Sequence, residues 1–201
     1  MDSDYDPYLG REIFHPQVFY TFGYSWESDL AAALKFESVL GLFANVRDVP
    51  AAKLEYEDFL SRSRRRIWQA SLIDMKYLDC KGRLFDRHKP QSIIESAKGA
   101  LPKINAKALL RGCKSLAKTG SRPVAIPACG PKGSLTVFYG KTIIRLIYHW
   151  FAWYSERFRS RRLVSFDVFL AYALSNMDTF DKRFPGARHY GLVRDRLSVC
   201  H

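Results

Sequence analysis

The stretch from Leu135 to Arg162 constrains the fold of this 201-residue chain more than any other. Apolar residues fall at Ile143, Ile147, Trp150, Phe151, Tyr154 and Phe158, which is the spacing of one stripe along an α-helix. Such a stripe must be buried against other elements, so this face of the helix is expected to belong to the core. The longest apolar run, Thr142 to Tyr154, is interrupted by Arg145 and His149 and is shorter than the ~20 residues that cross a bilayer. The acidic start, Met1-Asp2-Ser3-Asp4-Tyr5-Asp6, lacks the basic-then-apolar order of a secretion signal. These features point to a soluble, cytoplasmic chain that does not enter a membrane.

Further elements follow from caps and periodicity. Gln17–Tyr24 is β-branched and aromatic with apolar alternation, and reads as a strand. Ser25 stands where a helix N-cap belongs, before a helix from Trp26 through Phe36 that could extend to Phe43. Asp48 and Pro50 open the next helix, with Leu54, Phe59, Leu60, Ile67 and Trp68 as its apolar positions and an end near Leu78. Short helices are expected over Ile93–Ala100 and Ala106–Leu116, and Gly120–Gly133 reads as a loop. Ser165 caps a last helix, with Phe166, Phe169, Leu170, Ala173, Leu174 and Met177 inward; the polar tail after Gly186 is expected to be peripheral. The fold class is therefore mainly α with a small α/β remnant at the N-terminus. An isolated strand has no ladder partner, so Gln17–Tyr24 is expected to be the edge of a sheet whose other strands are not in this chain.

Charge divides the chain. Residues 1–60 hold eleven acids and four bases, and the remainder holds twenty-eight bases and nine acids, within a net charge of +12. Lys81–Lys132 alone has twelve Lys and Arg against Asp86 and Glu95. This asymmetry suggests an acidic site beside a basic surface, and nucleic acid or another polyanion as partner; a merely solubilising cationic surface is the alternative. Arg62, Arg64, Arg65 and Arg66 form one dense cluster, and Arg157 and Arg161 belong to another. On a helix Arg62, Arg65 and Arg66 share a face, as do Arg157 and Arg161. Cys80, Cys113, Cys129 and Cys200 include no Cys-x-x-Cys pair and are expected to be free thiols. The five histidines form no His-x-x-x-His pair. Gly140-Lys141-Thr142 lacks the first glycine of a phosphate-binding P-loop, which would fall at Leu135. Gly140 is expected to allow close packing instead, with Lys141 facing the acidic site or a phosphate.

Asp2, Asp4 and Asp6 alternate, so in an extended segment their carboxylates converge, as hard cations such as Mg²⁺ require. Together with Tyr24-Ser25-Trp26-Glu27-Ser28 and, more loosely, Gly140-Lys141, this segment resembles the family of domain of unknown function 4435. Members of that family join a Toprim-like α/β domain to a helical region, and some accompany ATPases of bacterial defence. The resemblance implies residues 1–45 as the C-terminal part of a Toprim-like domain and 46–201 as a basic helical domain. It implies a Mg²⁺-dependent nuclease or phosphoryl-transfer protein, with Asp2, Asp4 and Asp6 at the metal and Glu27 as a catalytic acid. Arg62, Arg64, Arg65, Arg66, Lys141, Arg157 and Arg161 would then hold nucleic acid. The family's upstream strands and their glutamate have no counterpart before Asp2, so the chain is expected to be a partial, inactive member with Met1 an internal methionine. The alternative is a non-catalytic module whose basic half binds nucleic acid or a partner ATPase.

Overall fold

The computed structural model describes residues 20–22, 25–77, 84, 86, 88–118, 139–158, 164–177 and 186–199. Within them the chain is mainly helical: α1 (Trp26–Ala32), α2 (Phe36–Phe43), α3 (Val49–Lys76), α4 (Ala106–Lys118), α5 (Gly140–Ser155), α6 (Phe166–Ser175) and α7 (Ala187–Val199). A 3₁₀ turn, Pro90–Ile93, leads into a two-stranded antiparallel sheet of β1 (Ile94–Glu95) and β2 (Lys103–Ile104), in which Ile94 faces Ile104. No helix among the described residues is long and apolar enough to cross a membrane.

Helix α5 lies at the centre, buried beyond the single stripe that its sequence shows. Ile143, Ile147, Trp150, Phe151 and Tyr154 are all buried, and Phe158, just past the helix end, packs against the same core. The surrounding wall is aromatic. Tyr56 of α3 and Phe36 of α2 stand with ring centroids 5.0 and 6.0 Å from that of Trp150, and Phe43 stacks on Phe151 at 5.5 Å. Offset and edge contacts of this kind add about 0.5–1.5 kcal/mol per pair beyond area burial. Burial lifts the Tyr56 hydroxyl well above the ordinary tyrosine range, so it stays neutral. Residues on both sides of position 45 share this core, since Leu30, Val39 and Phe43 belong to it together with Phe59, Ile147 and Phe169.

Helix α3 explains how one segment serves core and surface at once. Ala52, Tyr56, Phe59, Leu60, Ser63, Ile67, Ala70, Ser71 and Asp74 follow helical spacing and are buried, while the four arginines between them, Arg62, Arg64, Arg65 and Arg66, are exposed around the rest of the helix. Its start is the one read from the sequence: Asp48 Oδ1 accepts the Ala51 N–H at 2.9 Å, and Pro50 occupies the first turn. Leu54 departs from expectation, being 68 % exposed, because it lies off that seam. Ser165 caps α6 by accepting the Val168 N–H at 3.3 Å. Phe169 and Ala173 of α6 are buried, but Leu174 is turned outward.

Other expectations are corrected. The helix from Trp26 is broken at Ala33–Lys35, so that Phe36 can turn into the core. Ile93–Ala100 is not a helix. Its β-branched Ile93-Ile94 pair feeds a 3₁₀ turn and then β1, and Gly99 takes φ +75°, which suits the reversal toward β2. The reversal is tied to α5, since Trp153 Nε1 donates to the Gly99 carbonyl at 3.4 Å. Tyr20–Phe22, the described part of the expected N-terminal strand, is not strand, and the rest of Gln17–Tyr24 lies outside the described residues. The Gly120–Gly133 loop and Asp2, Asp4 and Asp6 also lie outside them. Helix α5 ends at Ser155, short of the basic cluster that its apolar stripe would carry it into.

Candidate functional site

The first turns of α1 and α5 meet at Gly140. A Cβ placed there would overlap Ser25 Oγ, and would come within 2.7 Å of the Ser28 backbone nitrogen and 3.0 Å of Glu27 Cβ. Only glycine permits this approach, in line with the close packing expected of it. The start of α1 is itself braced by Ser28, whose Oγ accepts the Ser25 N–H at 2.8 Å and donates to the Ser25 carbonyl at 2.6 Å.

Beside this junction opens a cleft of about 170 Å³, walled by Trp26, Pro90 and Phe166 and carrying Glu27, Lys141 and Arg145. Glu27 is 5 % exposed, and its Oε2 is buried with no hydrogen-bond partner. A buried polar atom left unpaired normally costs about 1–3 kcal/mol, and more when it belongs to a charged group. Lys141 is exposed on the first turn of α5, and Arg145 follows one turn later with its guanidinium 4.0 Å from the centre of the Phe166 ring. Burial, and then the charge of Arg145, hold the His149 imidazole below its ordinary pKa. The cleft thus presents one unsatisfied acceptor, two cations and flat aromatic walls.

The structure brings together Glu27 and Lys141, far apart in sequence, and adds Trp26, Arg145 and Phe166, for which the sequence offers no site signal. The basic clusters fare differently. Arg62, Arg64, Arg65 and Arg66 are all exposed on α3, but Arg62 pairs with Asp58 at 2.5 Å. Arg157 lies beyond the end of α5, pairs with Glu55 at 2.5 Å and stacks near Trp153 and Tyr154. Arg161 is outside the described residues. Among the described residues no group of three or more Asp, Glu, His or Cys could hold a metal ion.

A second cluster has no signature in the sequence because it joins the two ends of the chain. The fully buried Asp29 of α1 accepts the Phe22 N–H at 3.0 Å and the Tyr190 hydroxyl of α7 at 2.5 Å. His189 Nε2 lies 2.8 Å from the Tyr20 carbonyl oxygen. The tail lies at the surface yet is tied down: α7 anchors the segment that enters α1 and so supports the Ser25–Glu27 turn. Tyr190→Phe takes a donor from a buried carboxylate and is expected to lower stability by about 1–3 kcal/mol, read as a lower denaturation midpoint at unchanged m.

Comparison with protein-family models, with curated proteins and with solved structures returned no match for this chain.

Proposed function

We propose that the cleft at the α1–α5 junction binds one nucleotide unit of a nucleic-acid strand. The single observation that carries this reading is the partnerless, buried Glu27 Oε2 in one cleft with Lys141 and Arg145. The two cations suit a phosphate, the carboxylate oxygen suits a hydroxyl or amine donor of sugar or base, and Trp26 offers an apolar face.

The same oxygen favours a second reading, the phosphoryl transfer implied by the resemblance to the domain of unknown function 4435 family. Glu27, unencumbered by a partner, would there hold or take the proton of an attacking hydroxyl. In that family pattern Asp2, Asp4 and Asp6 would hold Mg²⁺, which when bound polarises a phosphoryl oxygen.

The test is fluorescence anisotropy with a 5′-labelled 20-nucleotide single strand, run beside plasmid nicking in Mg²⁺. Lys141→Ala with Arg145→Ala should weaken binding of all sequences alike and flatten the salt slope by about 1.4, the value for two single-strand phosphate contacts. An unchanged slope overturns the binding reading. Glu27→Gln that binds but no longer nicks supports phosphoryl transfer, whereas nicking that survives Glu27→Gln removes that role of Glu27.

A further inference from the structure

We infer that the outer face of α4 is a second nucleic-acid contact, a cationic track for the phosphodiester backbone that continues from the cleft's own substrate. Lys107, Arg111, Lys114 and Lys118 are spaced by four, three and four residues, so they fall on one line along the helix. All four are exposed. The opposite face is the packed one: Leu116 is buried, and Gly112 sits so close to Leu84 that an added Cβ would lie 2.8 Å from Leu84 Cδ1. The direction of the stripe is therefore fixed by packing, away from the core.

These charges differ from several others on the surface. Lys53, Arg62, Lys103 and Arg157 all have carboxylate partners. No ion pair joins the four α4 cations to any described residue, and from Ser96 to Lys118 the sequence has no acid at all. Four unneutralised cations over a helical rise of about 16 Å repel one another, and a polyanion relieves that repulsion. A B-DNA strand carries a phosphate every 3.4 Å, so about five lie along the same length. Arg66 donates to the Ile104 carbonyl at 3.5 Å, which sets the α3 arginine cluster against the strand that leads into α4. Leu110, 57 % exposed on the flank of the stripe, adds an apolar contact for sugar or base.

The partner class rests on the reading of the cleft, and the experiment separates the two. The full chain carrying Lys107→Gln, Arg111→Gln, Lys114→Gln and Lys118→Gln is compared with wild type and with the Lys141→Ala, Arg145→Ala variant on the same labelled strand from 50 to 200 mM salt. Glutamine has a helix propensity close to that of lysine and arginine, and unchanged circular dichroism verifies the fold. The slope of log affinity against log salt should fall by about 3, the value for four single-strand phosphate contacts. A slope equal to wild type overturns the track and leaves the cleft standing. A slope lost in the α4 variant but kept in the cleft variant sustains the track and removes the cleft. Absence of wild-type binding at 50 mM salt removes both. Loss of binding to phosphatidylserine vesicles without loss on the single strand assigns the stripe to an anionic membrane and overturns the nucleic-acid partner.

Discussion

Trp150→Ala is expected to destabilise the protein by about 3–5 kcal/mol, which approaches the whole stability of many domains. The indole is fully buried, with Tyr154 stacked on it at 4.9 Å and Tyr56, Phe36 and Phe59 at 5.0, 6.0 and 6.2 Å. Helices α2, α3 and α5 all contribute to that packing, so the cavity cannot close by moving one side chain. The indole Nε1 has no hydrogen-bond partner, which makes a second substitution informative. Trp150→Phe loses contact area but also removes an unsatisfied buried donor, worth about 1–3 kcal/mol, and should cost markedly less than alanine. Urea denaturation followed by circular dichroism measures both. A loss below about 1 kcal/mol for Trp150→Ala would show that the aromatic cluster does not hold these helices together.

Gly140→Ala is expected to be the most damaging methyl addition among the described residues. The new carbon would overlap Ser25 Oγ and lie 2.7 Å from the Ser28 backbone nitrogen. A serine hydroxyl can rotate away, but the backbone nitrogen of a helix cannot. Overpacking costs typically about 1–3 kcal/mol, and this contact lies at or above the top of that range. Because the displaced turn carries Glu27, binding in the cleft should fall along with the melting temperature. Gly41→Ala is the control. Nothing lies within 4 Å of a Cβ at that position in α2, so the exchange should be neutral or stabilising by about 0.5–1 kcal/mol. Equal effects of the two substitutions would contradict the close approach of α1 and α5.

About half of the candidate site is legible in the amino-acid order. Short motifs single out Glu27 and Lys141, and the residues around Gly140 mark it for close packing. Arg145 reads only as an interruption of an apolar run, and Phe166 only as a core residue. Their role depends on α6 folding back beside the start of α5, which no local pattern records. The basic clusters show the same limit. Their density in the sequence marks Arg62 and Arg157, yet Asp58 and Glu55 partly neutralise them, while the sparser cations of α4 form no ion pair with a described residue.

The sequence by itself determined the elements whose causes are local. The Asp48 and Ser165 caps and the apolar stripes of α3 and α5 each act within a few turns of one helix, so side-chain type and spacing suffice to place them. Tertiary structure decided the rest. Ile93–Glu95 became a turn and a strand because Lys103–Ile104 returns beside it, and the break at Ala33–Lys35 lets Phe36 reach Trp150. The tail after Gly186 became a helix anchored on Asp29, and Glu27 met Lys141 across more than a hundred residues. Each of these rests on contacts between segments distant in the chain. Their free energy appears only once the core around α5 has brought those segments together.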